Sequence, residues 1–403
     1  MSRTVFSCAI VLFTCLASSA LGNDAKIVIK VEKTTSPQVS VEKPPFTGQR
    51  AAVDVAILLD TSNSMDGLIG QAKSQLWTIV QQFAKAKKNG QTPILRVALF
   101  EYGNTRLPAS EGYIRQAVPL TDDLDKLSEA LFALTTNGGD EYCGQVIDEA
   151  ITRLDWSKEP NGYKAIFIAG NEPFTQGTVD YHQACKRAIE HGVVVNTIHC
   201  GNNQQGLSGQ WQHGAQLAEG QFFNIDQDRA VVHIKCPQDE IIIRLNAELN
   251  KTYLWYGKQP TREKNRANQV AQDSNAFGVG GAAVVERAIT KAGPAYKNRN
   301  RDLVDTYFEN EAILDEVESE ELPQVLQKLK PGQRKALIEK MTTERSKLQA
   351  QISQLSRERE SFLTKEKKRL AQEAGGETLG DAVVAAIQRQ LVVSGFETEN
   401  KPE

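Results

Sequence analysis

An α/β fold, built on a doubly wound and mostly parallel sheet, is what this sequence predicts, and three observations carry it. Short apolar runs alternate with segments of helical periodicity from Val53 to about Ile225. The runs are apolar at nearly every position, as strands covered on both faces are. Gly and Asn punctuate the joins, as Asn89-Gly90 does after the first helix.

The elements follow in order. Val53 to Asp60 reads as a buried strand. A helix from about Leu68 to Lys87 places Ala72, Leu76, Ile79, Val80 and Phe83 at helical spacing. Strands are expected over Ile94–Tyr102 and Gly112–Leu120, the second antiparallel through the turn at Gly103 to Ser110. Helices over Asp123–Leu134 and Gly144–Leu154 precede a strand at Ala165–Ala169. A helix over Val179–Glu190, a strand at Val193–Ile198, a helix at Gln210–Ala218 and a strand at Gln221–Ile225 close the sheet.

Beyond Asp226 the pattern becomes helical. Asp239–Tyr253 carries Ile241, Ile242, Leu245 and Leu249 along one side, and Asn268–Ala292 reads as helix in pieces. Asp302–Glu321 is strongly acidic. A long polar helix from Gln333 to about Ala374 has a coiled-coil-like seam of Ile338, Arg345, Ile352 and Arg359 with Met341, Leu348, Leu355 and Phe362. That seam wants one partner helix, from the acidic segment or from a second copy, and Arg at two seam positions weakens self-association. A short helix, Leu379–Leu391, precedes a polar tail.

The chain of 403 residues is 40% hydrophobic and 24% charged, which suits a globular protein of one or two domains. A net charge of −3 offers no whole-chain argument for nucleic acid or membrane. The basic long helix carries interspersed acids and few stacking aromatics, so nucleic acid is a poor partner for it. Arg3, the apolar run Val5–Leu16 and the small residues Ala17 to Gly22 form a signal-peptide pattern. Export, periplasmic or secreted, is expected, with no membrane span in the mature chain. Cys143, Cys185, Cys200 and Cys236 would then remain, either as disulfides in three possible pairings or as buried thiols.

The stretch with chemistry in it is Val53 to Ser64. Its apolar run ends in Asp60, and Ser62 and Ser64 follow at alternate positions. Ligands bind at the carboxyl ends of the strands in open α/β sheets. One carboxylate and two hydroxyls are hard oxygen donors that suit Mg²⁺, Mn²⁺ or Ca²⁺. They are also good caps for the helix that follows.

This Asp-x-Ser-x-Ser stretch at a strand end resembles the metal-ion-dependent adhesion site of von Willebrand factor type A domains, over about Val53 to Asp226. The resemblance implies a Rossmann-like sheet and a metal held by three loops at one end of it. The second loop is Thr135 to Gly144, where Asp140 stands in place of the family's usual Thr and Glu141 follows. The third departs from the family's Thr-Asp-Gly and reads Ala169-Gly170-Asn171-Glu172. The implied ligands are Asp60, Ser62, Ser64, Asp140 and Asn171, with Glu172 as the alternative in the third loop. The implied cofactor is Mg²⁺, or Mn²⁺ or Ca²⁺. The implied partner is a protein that offers an acidic group to the metal.

Other constellations weigh less. His199-Cys200 would point to opposite faces of a strand, so the two form no dyad. His199, Cys200, His213, His233 and Cys236 lack the tight spacing of a zinc site. Phe277 to Ala282 is Gly-rich but lacks the Lys-Ser/Thr ending of a phosphate loop. Trp77, Trp156, Trp211 and Trp255 are spread out and suit packing.

The expected organisation is a signal peptide over 1–22, a linker over 23–50, the α/β domain over 51–230, a helical extension over 231–300 and a charged helical region over 301–403. The expected function is a non-enzymatic, metal-dependent binding module. The rival reading is an assembly protein that works through its C-terminal helices with a vestigial metal site, and a hydrolase comes last.

Overall fold

The computed structural model describes residues 50–66, 68–225, 234–374 and 379–398. The expected signal peptide, the linker with its possible edge strand at Lys26–Glu32, and His233 lie outside the described residues.

Six strands form one sheet: β1 (Ala52–Asp60), β2 (Ile94–Tyr102), β3 (Ile114–Thr121), β4 (Tyr163–Gly170), β5 (Val194–Cys200) and β6 (Phe222–Ile225). Their order is β3-β2-β1-β4-β5-β6. β3 pairs antiparallel with β2, and the other pairings are parallel. β1 lies at the centre with helices above and below, so its side chains must be apolar on both faces. Asp54, a charged residue within it, is buried and accepts from Arg96 Nε (2.8 Å), Arg96 Nη2 (2.7 Å) and the Ser157 N–H (2.7 Å).

Helices α1 (Leu68–Lys85), α2 (Leu124–Ala133), α3 (Cys143–Arg153), α4 (Tyr181–Glu190), α5 (Asn203–Ser208) and α6 (Trp211–Leu217) connect the strands. One sheet face packs Ala56, Leu58, Phe100, Ile166 and Ile168 under α3, α4 and α6. The other packs Val55, Leu59, Val97, Leu99 and Phe167 under α1 and α2. All four described cysteines are buried free thiols. Burial pushes Cys185 up to about 12, which leaves it inert as a nucleophile.

The C-terminal helices are α7 (Asp239–Asn250), α8 (Gln259–Val279), α9 (Gly281–Ala292), α10 (Leu303–Glu309), α11 (Ile313–Glu316), α12 (Gln324–Gln327), α13 (Pro331–Ala374) and α14 (Leu379–Val393). The break expected within Asn268–Ala292 falls at Gly280, whose φ of 126° disfavours any side chain. Pro331 opens α13, where a residue without an N–H costs nothing.

These helices are not a separate body: residues 49–403 form one compact unit. The α13 seam packs inside the chain, against α7, α9 and α10. Arg345 lies in it buried, with Nη1 at 2.7 Å from Asp302 and 2.8 Å from Asp305. Arg359 pairs with Asp239 (2.8 Å) and Glu286 (2.7 Å). The acidic segment thus supplies part of the expected partner through α10, and α7 and α9 supply the rest. α14 lies against α1 and β6, where Ile387, Leu391 and Phe396 join the core.

A third buried ion cluster joins α2 to α8 and α9. Arg287 donates to Asp125 (2.8 Å) and Asp273 (2.5 Å), and Lys291 to Asp273 (2.8 Å). Burial pushes the Asp273 carboxyl up, but Lys291 and Arg287 outweigh it and hold it at about 2. Lys291 is lowered as well, to about 8, because for it enclosure outweighs the attraction of Asp273. A depressed carboxyl stabilises the fold above its unfolded value, and that contribution is lost as pH falls through the folded value. Asp273 should therefore supply on the order of 2 kcal/mol that disappears between about pH 4 and pH 2. Asp273→Asn should flatten the fall in stability across that window, measured by urea unfolding at successive pH values. An unchanged slope would count against it.

Candidate metal centre

The sheet brings three loops to the carboxyl ends of β1 and β4. The first begins at Asp60, which is fully buried. Its Oδ1 accepts the Ser62 N–H at 2.7 Å, which turns the chain sharply after the strand. The hydroxyls of Ser62 and Ser64 then meet at 2.7 Å, and Ser64 donates to Asn171 Oδ1 at 3.0 Å. Asp60, Ser62, Ser64 and Asn171 are thus brought together as the sequence pattern suggests.

The second loop behaves differently. Asp140 is exposed and accepts from the Tyr142 hydroxyl at 3.1 Å. Its neighbour Glu141 turns inward and is buried. The Glu141 N–H donates to Gln176 Oε1 at 2.6 Å, which fixes that orientation. Two adjacent acids on a short loop look alike in sequence, and only the turn before α3 decides which faces the site. Thr136 adds a hydroxyl that donates to Asp66 at the edge of the first loop. Glu172 is half-buried behind Asn171, and its carbonyl accepts from Trp211 Nε1 at 2.8 Å.

Glycine permits this crowding. Gly103 has a φ of 78°, and a Cβ there would stand 2.8 Å from both Asp60 Oδ1 and Glu141 Cγ. A Cβ on Gly139 would collide with the Gly103 carbonyl. Asn137 N–H donates to the Thr61 carbonyl (2.9 Å) and Thr61 N–H to the Tyr102 carbonyl (2.9 Å), so the loops are tied backbone to backbone.

Electrostatically the cluster gathers buried carboxylates close together. Asp60 Oδ2 is buried and has no hydrogen-bond partner among the described residues. Burial pushes the Asp60 carboxyl up to about 7 against the hydrogen bonds from Ser62, and Glu172 adds to the rise. Burial and the charge of Asp60 push Glu141 up to about 8, while the Ser62 hydroxyl opposes. A hard divalent cation fits this donor set, because carboxylate, hydroxyl and amide oxygens converge and one carboxylate oxygen is orphaned. Among the described residues no three His, Cys, Asp or Glu side chains gather as a metal-holding group. The candidate donors here are a mixture with Ser and Asn.

The other candidates resolve as packing. His199 is buried, with Nδ1 at 2.9 Å from Asn224 Oδ1 and its ring edge-on to Trp211. His213 Nδ1 lies 2.8 Å from the Tyr181 hydroxyl. Trp156, Trp211 and Trp255 are buried. Gly278 and Gly280 flank the joint between α8 and α9 and follow no strand.

Residues 54–229 match the profile of the von Willebrand factor type A domain, so this chain carries a domain of that family. Domains of this class are typically non-catalytic interaction modules. BatB from Bacteroides thetaiotaomicron has a similar fold, at 17% identity over 43% of this chain and 90% of that one, with a TM-score of 0.34. The SpRpn10 VWA domain is alike at 17% identity, 44% and 90% coverage and a TM-score of 0.35. Proximal thread matrix protein 1 from the mussel byssus, with a zinc-occupied MIDAS motif, is alike at 16% identity, 45% and 43% coverage and a TM-score of 0.34. Likenesses this distant decide nothing about function here. No curated protein matches the chain. No described helix is long and apolar enough to cross a membrane.

Proposed function

We propose that this domain binds a protein partner through a divalent metal. Asp60, Ser62, Ser64 and Asn171 hold Mg²⁺, with Mn²⁺ or Ca²⁺ able to use the same oxygens. Glu141 supplies the second-loop carboxylate in place of Asp140, which stays on the rim. The metal supplies a Lewis-acidic position for an acidic group of the partner, and the chain's residues orient it. The observation that carries this reading is the buried, partnerless Asp60 Oδ2 beside Ser62, Ser64 and Glu141. The signal-peptide pattern at Arg3 to Gly22 supports a place outside the cytoplasm, periplasmic or secreted.

A Mg²⁺ titration followed by thermal unfolding tests it. Metal that binds only the folded state stabilises it by about 2.7 kcal/mol at 100 times Kd, a rise of roughly 3–5 °C for a compact unit of this size. The wild type should show that response and Asp60→Ala should lose it. Glu141→Gln should reduce it and Asp140→Asn should leave it intact. Equal responses in wild type and Asp60→Ala would overturn the reading.

A further inference from the structure

A cavity of about 180 Å³ opens next to the metal loops, lined by Glu101, Asn104, Arg106, Arg115, Leu134 and Thr135 among others. We propose that it is a second carboxylate subsite, which takes another acidic side chain of the same protein partner. The proposal rests on the partner chemistry argued above for the metal centre.

The charge balance of the cavity points to an anion. Glu101, at the end of β2, is buried and sits opposite Arg115 in the β2–β3 register. Its carboxylate accepts from Arg115 Nε at 2.6 Å, which neutralises one of the two guanidinium groups. The Arg115 side chain lines the cavity and is still 54% exposed. Arg106 is exposed and makes no ion pair among the described residues. Its Nη1 donates to Thr135 Oγ1 at 3.3 Å, which holds the guanidinium at the mouth. One positive charge is left over, on a planar fork of donors that matches a carboxylate. Leu134 and its neighbours wall the cavity with apolar surface, which strengthens such a pair relative to open water.

The connection to the metal loops points to a partner side chain rather than a free ion. Asn104 Nδ2 donates to the Thr135 carbonyl (2.9 Å) and to Thr61 Oγ1 (3.4 Å), one residue past Asp60. Its Oδ1 accepts the Arg106 N–H at 3.0 Å. The Thr105 N–H donates to the Gly138 carbonyl at 2.7 Å. One short loop is therefore bonded to the first and second metal loops and carries Arg106. A partner that offers one acidic group to the metal meets a second, rigidly spaced basic site beside it.

Glutarate and inorganic phosphate are the probes, titrated in resin-treated, metal-free buffer so that the result does not depend on whether Asp60 holds an ion. The readout is the ¹⁵N side-chain resonances of the arginines. Glutarate should shift the Arg106 and Arg115 Nε–H signals and bind more tightly than phosphate. Arg106→Gln should weaken glutarate about tenfold, the loss of one charge-assisted hydrogen bond. Phosphate binding as tightly as glutarate would overturn the carboxylate assignment. An unchanged glutarate Kd in Arg106→Gln would overturn the subsite. Failure of the Mg²⁺ titration with success here would remove the metal reading and leave the subsite standing.

Discussion

Arg345→Ala is expected to lower the unfolding free energy by about 3–5 kcal/mol, the cost of breaking a buried ion pair from one side. Arg345 lies among groups from two other segments. Its Nη1 serves Asp302 and Asp305, its Nε donates to Thr252 Oγ1 at 3.0 Å and its Nη2 to the Thr252 carbonyl at 2.7 Å. The guanidinium also stacks 4.1 Å from the centre of the Tyr253 ring. Asp302 is fully buried, accepts the Leu254 N–H at 2.5 Å and caps α10 by accepting from Asp305 N–H at 3.0 Å. Removal of the arginine would leave two carboxylates facing each other in a closed site. Urea unfolding measures the effect. Arg345→Met combined with Asp302→Asn and Asp305→Asn should recover part of the loss, because no buried charge is then left alone. A single-mutant loss under about 1 kcal/mol would show that water already reaches the cluster.

Removal of residues 375–403 should be worse, at upwards of about 5 kcal/mol, given ~1.5–3 kcal/mol for each large apolar side chain taken from the core. Val383, Ile387, Leu391 and Phe396 are buried against the same face as Phe83, Tyr163 and Phe167. The interface also has a polar lock. Tyr163 donates to Gln390 Oε1 at 2.5 Å, and Gln390 Nε2 donates to Asn196 Oδ1 at 2.7 Å. Without α14, Tyr163 and Asn196 lose that partner and the sheet face opens to water. Circular dichroism and urea unfolding of the truncated chain should show a lower midpoint, with the metal loops at the far ends of the strands still present in sequence. A truncated chain with the full midpoint would mean that α14 only lies on the surface.

Much of this was legible in the residues. Ile94–Tyr102 is a strand because it is mostly apolar, with Val97 to Phe100 unbroken, and Gly103 bounds it, and the structure places β2 on those residues. The convergence of Asp60, Ser62, Ser64 and Asn171 followed from strand ends that share one edge of a parallel sheet. Glu141 was not separable from Asp140, since the choice rests on a hydrogen bond to Gln176, distant in sequence. The short α5 leaves little trace in the sequence, because Asn203–Ser208 is polar and carries little periodicity. The fate of the α13 seam was also hidden. A heptad pattern states that a helix has a narrow buried stripe, and Arg345 and Arg359 look like flaws in it until Asp302, Asp305, Asp239 and Glu286 are known to face them.

The placement of α14 also constrains the order of events as the chain is made. β6 ends at Ile225, and the helix that seals its side of the sheet starts at Leu379. A ribosome has to deliver all of α7 to α13 before that seal exists. Contacts closed over so long a separation form late, and the apolar face they cover stays wet until then. A chain that ends before Leu379 leaves Phe83, Tyr163 and Phe167 without Ile387, Leu391 and Phe396 over them, an apolar patch open to water.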